Sequence, residues 1–201
     1  MGVTLDDQPK LGLRERKKLK TRAIIQQNAI RLFREQGYQE TTVEQIAAAS
    51  EISPSTFFRY FQTKEAVVIE DDFDPMLIEL YRRQPPELDP IETFRRAVIE
   101  GAALISDEDR KAVRIRMELM SATPELRAAF MSQTSSTLTL IADLIAERTG
   151  RHNGDLGVYA LAGAVVGATM GAHAYCERHP EADYIETIVS ALESVETAFR
   201  A

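Results

Sequence analysis

Cysteine and histidine are scarce in this sequence. The chain of 201 residues contains a single cysteine, Cys176, which has no second cysteine with which to form an internal disulfide. The three histidines, His152, His173 and His179, have no zinc-binding spacing with one another or with nearby carboxylates. We therefore expect no metal site and no cofactor, and we interpret Cys176 as a small packed side chain in a helix.

A long hydrophobic run is also absent. No stretch approaches the roughly 18 consecutive apolar residues of a membrane span, and residues 1–20 contain no apolar run of the signal-peptide type. Hydrophobic residues make up 44% of the chain and charged residues 27%, so the composition is that of a globular protein rather than a disordered one. These absences predict a cytoplasmic protein without a membrane partner.

Signatures of catalysis are missing as well. The sequence has no phosphate-cradling glycine loop, no nucleophile elbow, no metal pair and no histidine beside a nucleophile in a recognisable motif. We therefore expect no enzyme activity. One class that remains is an architectural or partner-binding helical protein without sequence-specific DNA recognition.

What the sequence does contain is an uneven distribution of charge. The net charge is −7, but residues 1–64 carry a net +4 and residues 65–201 a net −11. Residues 10–34 hold nine basic side chains and one acid, Glu15. A basic N-terminal end on an acidic body indicates a polyanionic partner at that end, although a Lys/Arg cluster is more often a solvated helix face.

Hydrophobic periodicity predicts an all-α protein of about nine helices. Residues 14–36 carry an apolar stripe and end at Gly37, which is suited to a left-handed C-cap. Two short helices over 42–50 and 53–61 follow, and the tight turn between them gives the pair the size of a helix-turn-helix. The other predicted helices are 63–83 with a bend or a break before Pro75, 90–105, 107–122, 124–150, 155–178 and 183–200.

A specific run of residues surrounds the two short helices. It comprises Leu32-Phe33, Gly37-Tyr38, Thr41-Thr42-Val43-Glu44-Gln45-Ile46-Ala47, Ile52-Ser53-Pro54-Ser55-Thr56-Phe57-Phe58-Arg59-Tyr60-Phe61 and Thr63-Lys64-Glu65. This pattern, over about residues 20–70, closely resembles the N-terminal signature of the TetR family of repressors. The resemblance implies a flexible arm (1–13), a three-helix DNA-binding domain (14–70) and a helical ligand-binding and dimerisation domain (71–201).

The second short helix must keep one face in the core and present small or polar side chains to DNA. Phe57 and Phe61 are four residues apart, so we predict that both pack inward. Ser55, Thr56 and Arg59 are then free to face DNA. Arg59 is the best candidate to read a guanine, because its planar fork matches the acceptors of that base.

Phosphate contacts are implied by the resemblance for Thr42, Tyr60 and Lys64, with partial core packing as the alternative for Tyr60. Two positions depart from the family pattern. Residue 51 is Glu where the family has glycine, which costs roughly 1 kcal/mol if the residue is left-handed. Phe58 replaces a tyrosine and lacks its hydroxyl, so we expect apolar contact with a sugar or a thymine methyl.

Basic residues upstream of the short helices would add affinity rather than base choice, through phosphate contacts or an arm in the minor groove. Arg14, Lys17 and Lys18 are the main candidates. Arg16, Lys20 and Arg22 belong to the same group.

Small residues repeat along the predicted helix over 155–178. Gly163, Gly167 and Gly171 recur every four residues beside a row of alanines, so a second helix could approach closely. In the TetR family the last two helices of each subunit form the dimer interface; the alternative is packing within one chain. We predict a homodimer whose interface contains Ala160, Gly163, Gly167, Gly171, Ile188, Leu192 and Val195.

The resemblance places an inducer cavity among the helices between residues 74 and 150. The candidate lining residues are Phe94, Arg114, Met117, Met120, Phe130 and Met131, although Met and Phe at helical spacing are more often plain core. Residues 11–17 and the segment 72–86 are similar to TetR-type regulators that sense acyl-CoA, among them the mycofactocin-system regulator. This makes Arg114 and Arg116 candidates for a phosphate-bearing ligand. The expectation is a repressor that leaves operator DNA when an apolar or acyl-CoA-type inducer binds.

Removing residues 1–18 is expected to weaken DNA binding and to flatten its salt dependence, because the deletion removes five basic side chains that would displace counterions from phosphates. Fluorescence anisotropy with duplex DNA across a salt series measures both effects. A deletion of residues 1–9, which removes no lysine or arginine, is the control. Unchanged affinity across the salt series would refute the prediction.

Overall fold

The computed structural model of the protein describes residues 13–70 and 74–200. These ranges contain ten α-helices and no strand, which confirms the all-α prediction. The chain divides into two compact units, with the boundary between Glu70 and Asp71. Residues 1–12, most of the arm expected from the sequence, lie outside the described residues.

The described part of the N-terminal unit has four helices: α1 (Leu13–Gln36), α2 (Val43–Ala49), α3 (Pro54–Tyr60) and α4 (Ala66–Ile69). Local signals mark the end of α1 and the start of α3. Gly37 follows α1 in the left-handed region at φ 91°, and Ser53 caps α3 with Pro54 at its first position. The buried core of this unit contains Ile25, Ala29, Phe33, Ile46, Ala47, Phe57, Phe61, Val67 and Val68.

The described part of the C-terminal unit has six helices: α5 (Asp74–Arg83), α6 (Pro90–Leu104), α7 (Asp107–Ala122), α8 (Pro124–Thr149), α9 (Leu156–Arg178) and α10 (Tyr184–Arg200). The break that the sequence allowed before Pro75 is present, because α4 and α5 are separate helices, and the total over the described residues is therefore ten rather than nine. N-cap side chains accept hydrogen bonds from main-chain N–H groups at the starts of α6, α7 and α9; they belong to Asp89, Ser106 and Asp155. Gly150 ends α8 at φ 66°.

The core of the C-terminal unit is contributed by α5, α6, α8, α9 and α10. Aliphatic side chains surround Tyr81 and Phe94, whose ring centroids are 4.2 Å apart. Leu192 belongs to this core and is 1% exposed, so it packs within its own chain and has no surface to offer a second one. Its predicted place in a dimer interface is therefore corrected. Ile188 and Val195 are partly buried against the same core.

Helix α9 is long and apolar enough, by length and composition, to cross a membrane. Of its most apolar 18-residue window, 39% is buried inside the protein. One such helix is weak evidence for a membrane span, because a core helix of a globular protein passes the same test.

The hydroxyl of Tyr81 is buried without a hydrogen-bond partner in the described part of the chain. The residue is 1% exposed, and the Arg148 guanidinium lies 5.6 Å from the centre of its ring. Burial raises the pKa of Tyr81 to about 12, although the nearby charge of Arg148 opposes the rise. The side chain is therefore a neutral phenol whose O–H is left unsatisfied.

Tyr81→Phe is expected to leave the free energy of unfolding unchanged or to raise it by about 1 kcal/mol, because an unsatisfied buried hydroxyl destabilises a fold. Tyr38→Phe is the matched control: Tyr38 donates a hydrogen bond to the Glu65 carboxylate, and losing it should lower the free energy by about 1–2 kcal/mol. Urea unfolding followed by circular dichroism measures both. A loss for Tyr81→Phe as large as that for Tyr38→Phe would contradict the unpaired hydroxyl.

Candidate DNA-binding and ligand-binding sites

Helix α3 is held in the N-terminal unit by two aromatic side chains on its inner face. Phe57 and Phe61 are both 0% exposed, and their ring centroids are 5.9 Å apart. The inward packing predicted for this pair is confirmed. The opposite face of the helix is open to solvent, because Ser55 and Arg59 are exposed and Phe58 is 50% exposed.

Three hydroxyl groups cluster at the start of α3. The Ser53 Oγ accepts a hydrogen bond from the Thr56 amide at 3.1 Å and lies 2.8 Å from the Ser55 Oγ and 2.9 Å from the Thr56 Oγ1. A hydroxyl can donate one hydrogen bond and accept two, so each of these groups keeps bonding capacity beyond the cluster. The cluster therefore offers both donors and acceptors at the exposed end of the helix.

The side chains of Phe58, Arg59 and Tyr60 follow on the same helix. Phe58 packs edge-on against Phe57, with ring centroids 5.4 Å apart, and leaves the rest of its ring exposed. The guanidinium of Arg59 lies 5.5 Å from the centre of the Tyr60 ring. Tyr60 is half-buried, which agrees with partial core packing and still leaves part of its surface open.

Thr42 forms a capping box at the start of α2. Its hydroxyl accepts a hydrogen bond from the Gln45 amide at 3.2 Å, and the Gln45 Oε1 accepts one from the Thr42 amide at 2.9 Å. Thr42 is therefore the residue that caps α2. The hydroxyl proton of the exposed Thr42 side chain remains free to donate outward, since its oxygen serves here as an acceptor.

Lys64 has internal partners that the sequence did not indicate. Its Nζ donates to the carbonyl oxygens of Tyr38 at 2.9 Å and Thr41 at 3.0 Å, and it lies 4.0 Å from the centre of the Tyr38 ring. Two of its three N–H groups therefore hold the connection between α1 and α2. Burial opposes ionisation of the adjacent Glu65, but the hydrogen bond from Tyr38 and the charge of Lys64 help to bring its pKa below the usual value.

Arg22 also differs from its predicted role as a phosphate-binding residue. It donates to the Glu70 carboxylate at 2.8 Å and to the Tyr60 carbonyl at 3.0 Å, and its guanidinium carbon lies 4.2 Å from the centre of the Phe61 ring. These contacts fasten α1 to the end of α3. The predicted phosphate-binding role is corrected, because a side chain that contacts a carboxylate, a carbonyl and an aromatic ring within its own unit is not a free surface charge.

The remaining upstream residues lie on α1. Lys17 and Lys18 are exposed, as a phosphate-contacting role requires. The side chain of Arg14 lies outside the described residues, although its position falls within the helix.

The turn between α2 and α3 contains an unusual backbone conformation at residue 51. Glu51 has φ 55°, which is the left-handed region. The Ile52 amide then donates to the Ala47 carbonyl at 2.9 Å and closes the turn. An L-residue with a side chain is strained in this region by about 1–2 kcal/mol, and the buried faces of the two flanking helices hold it there.

One exposed face of α9 is nearly free of side chains. Ala160, Gly163, Gly167 and Gly171 are all exposed, and a Cβ atom added at any of the three glycines would meet nothing within 4 Å. Large hydrophobic side chains flank this row, because Leu156, Tyr159 and Tyr175 are 83%, 40% and 51% exposed. The face is flat enough for the close approach of another helix.

A cavity of about 390 Å³ lies in the C-terminal unit between α7, the end of α9 and the start of α10. Of the predicted ligand-contacting residues, Arg114 and Met117 line it. The other four are not among its lining residues: Phe94 and Met120 are each 5% exposed within the protein, Met131 is 52% exposed, and Phe130 packs against His173 with ring centroids 5.3 Å apart. The predicted set is therefore only partly brought together.

His173 lines this cavity and was considered in the sequence only as a zinc ligand. It is 8% exposed, and its Nδ1 is buried without a hydrogen-bond partner in the described part of the chain. Burial lowers the pKa of His173, Glu177 opposes that effect, and Arg127 adds to it. A pattern of spacing could not have found this residue, because its importance comes from the elements packed around it.

Three carboxylates in the described residues lie close enough to share a metal ion: Asp89, Glu92 and Glu196. Each has a protein partner. Asp89 caps α6, Glu92 pairs with Arg96 at 2.6 Å, and Glu196 pairs with Arg95 at 2.9 Å. We interpret the group as a helix cap beside two ion pairs.

Two family profiles match the chain. The profile described as "Bacterial regulatory proteins, tetR family" matches residues 25–70, and the one described as "MftR C-terminal domain" matches residues 88–200. The chain belongs to the TetR family of bacterial transcriptional regulators. Within that family, its C-terminal unit is of the MftR type.

Two relatives are regulators rather than enzymes. The chain is 33% identical over 146 residues to the HTH-type transcriptional regulator TcmR of Streptomyces glaucescens, a match that covers 69% of this chain and 65% of the relative. It is 27% identical over 173 residues to a Mycobacterium tuberculosis protein assigned as the mycofactocin biosynthesis regulator MftR, which covers 83% of this chain and 85% of that one.

Solved structures share the fold. The SmeT–triclosan complex has a TM-score of 0.58 at 22% identity and covers 89% of this chain and 91% of its own. Thermus thermophilus FadR, a TetR-family repressor in complex with lauroyl-CoA, has a TM-score of 0.50 at 27% identity and covers 87% and 92%.

Proposed function

We propose that this protein is a cytoplasmic, homodimeric repressor that binds operator DNA through α3 and releases it when a small molecule binds the C-terminal unit. The observation that carries the proposal is the two-faced character of α3. Its inner face is anchored by Phe57 and Phe61, while its outer face presents hydroxyls, an aromatic ring and a guanidinium to solvent. A helix of this kind can enter a major groove without unfolding its own core.

Base recognition falls to the outer face of α3. Arg59 can donate two parallel hydrogen bonds to the acceptors of guanine, and the exposed ring of Phe58 can contact a thymine methyl. Ser55 and Thr56, near the helix start, can bond base edges or phosphates. These four side chains form the proposed reading surface.

Phosphate contacts would fix the position of that surface on the duplex. Thr42 stands at the N-terminus of α2, where main-chain amides and the helix dipole favour an anion. Lys17 and Lys18 on α1 and the open part of Tyr60 supply further contacts. Lys64 contributes to phosphate binding through its third N–H group and its positive charge, since its other two donors form hydrogen bonds within the unit.

Dimerisation would use the flat face of α9. Ala160 and the three glycines permit close approach, and Ile188 and Val195 on α10 have partly exposed side chains beside the core. Two-fold symmetry would then present two copies of α3 to half-sites about 34–36 Å apart or at a multiple of that distance.

The inducer would be an apolar or acyl-CoA-type molecule. The chain resembles Thermus thermophilus FadR, whose complex contains lauroyl-CoA, at 27% identity. The cavity lined by Arg114 and Met117 supports a ligand site in this unit. A ligand that binds one arrangement of the dimer more tightly would shift the population away from the DNA-binding arrangement.

Arg59→Ala is expected to weaken binding to the operator by about 1–3 kcal/mol and to leave binding to random DNA nearly unchanged, because it removes a base contact. The operator is first identified by sequencing DNA selected by the purified protein. Fluorescence anisotropy at fixed salt then measures both affinities, with the exposed Arg83 on α5 replaced by alanine as the control.

Two outcomes would contradict this prediction. An equal loss on operator and random DNA would make Arg59 a phosphate contact. A wild-type protein with little preference for any selected sequence would favour the alternative class of helical protein without sequence-specific recognition, since phosphate-only binding discriminates little.

Gly167→Leu is expected to disrupt the dimer while the protomer still folds. The added side chain meets nothing within 4 Å in its own chain, and leucine is a good helix former, so the change acts mainly on a partner. Light scattering at micromolar concentration should show a shift from dimeric to monomeric mass, with weaker operator binding. Ala128→Leu, at an exposed site on α8, is the control. An unchanged dimeric mass, or a monomeric wild type, would reject this interface.

A further inference from the structure

The cavity in the C-terminal unit combines an apolar wall with charges of mixed sign. Val113, Met117 and Ile185 contribute to the wall, while the lining includes three basic and four acidic side chains. Arg110 is already paired with Asp183 at 3.5 Å. A lining of balanced charge has little net attraction for a phosphate or another multiply charged group. It favours an uncharged and largely apolar occupant.

The polar ring in that lining is the imidazole of His173. The rings of Phe130 and Tyr184 lie 5.3 Å and 6.4 Å away between centroids, so aromatic groups of α8 and α10 enclose it. Its Nε2 lies 3.6 Å from the Glu177 Oε1 on the next turn of α9. Its Nδ1 is buried without a hydrogen-bond partner in the described residues.

The position of Glu177 selects one tautomer of the neutral ring. A carboxylate attracts the N–H group, so the proton belongs on Nε2 and Nδ1 is left as a lone-pair acceptor. Burial keeps the ring neutral by lowering the pKa of His173, and Arg127 adds to this effect while Glu177 opposes it. His173, which lines the cavity, therefore has a buried acceptor that the described part of the protein does not satisfy.

We propose that this cavity binds an uncharged, largely apolar molecule that carries a hydroxyl group, and that this hydroxyl donates a hydrogen bond to Nδ1 of His173. The inference rests on the proposed function, since it names the ligand class of the regulatory unit. A ligand that lacks a donor would leave the buried Nδ1 unpaired. Sites built around such a group discriminate strongly against analogues that cannot bond it.

Cys176 provides a direct readout of occupancy. It is the one cysteine in the sequence and lines the same cavity, and its Sγ lies 3.6 Å from the Thr187 Oγ1. It is half-buried, so a small alkylating reagent can reach it and an occupant will slow the reaction. This measurement requires neither DNA nor an identified inducer.

The test compares aromatic alcohols with their methyl ethers, which keep the shape and the oxygen but cannot donate. A panel of such pairs, including 2-naphthol with 2-methoxynaphthalene, is titrated against the full-length protein while the rate of Cys176 alkylation is measured. Alcohols are expected to protect Cys176 at concentrations about tenfold lower than their ethers, which is the usual size of one well-placed hydrogen bond. The absence of such a preference across the panel would overturn the proposal.

His173→Phe keeps an aromatic ring and removes the acceptor, so the preference for alcohols should disappear. His179→Phe is the matched control, because His179 is half-exposed and is not among the lining residues of the cavity. Should His173→Phe fail to fold, nitrogen NMR of the wild-type imidazole decides the question. An alcohol should shift the Nδ1 resonance toward a hydrogen-bonded value, and an unshifted resonance at saturation would refute the contact.

Alkylation in the presence of lauroyl-CoA distinguishes a failure of the hydroxyl-ligand proposal from a failure of the proposed regulatory function. Protection of Cys176 by lauroyl-CoA, without any preference among the alcohol pairs, would reject the hydroxyl ligand and retain an acyl-CoA-responsive regulator. A wild-type protein that neither binds an operator nor forms a dimer would instead reject the proposed function, whatever the alkylation experiment shows.

Discussion

The burial of Phe57 and Phe61 on one side of α3 is the constraint on which the proposed DNA-binding surface depends. Two aromatic side chains removed from water stabilise the unit by about 2–3 kcal/mol each, so the helix cannot rotate without losing them. Arg22 adds a second restraint through the Tyr60 carbonyl and the Phe61 ring. This anchoring fixes the orientation of α3, and with it the direction in which its exposed groups point, including the guanidinium of Arg59.

Local signals in the sequence were sufficient for most of the fold. Helix ends at Gly37, Ser53 and Gly150 follow from the backbone freedom of glycine and from side-chain capping, both of which act within a few residues. The left-handed backbone at Glu51 was considered only as a condition, because the family pattern has glycine there, and the structure meets that condition. The separation of α4 from α5 was left open, since the apolar residues before Pro75 are compatible with one bent helix as well as with two helices.

The sites were less predictable because their chemistry depends on contacts distant in sequence. Lys64 and Arg22 were treated as surface cations, yet their partners lie as far as 26 and 48 residues away. Leu192 has the right helical position for an interface but faces its own core. His173 acquires its unpaired acceptor only when α8, α9 and α10 come together around it. Periodicity identifies a face of a helix, but it does not say what that face will meet.

The hydroxyl cluster formed by Ser53, Ser55 and Thr56 has a consequence for how strictly an operator could be read. Each O–H can turn and exchange its role between donor and acceptor while the heavy atoms stay in place. Such groups accept several bases at little cost, whereas a guanidinium can only donate. A protein built in this way would keep its affinity when operator bases opposite the helix start change, and it would lose affinity when bases opposite Arg59 change. Promoters in one genome could therefore differ in sequence at the tolerant positions and still bind the protein with similar affinity.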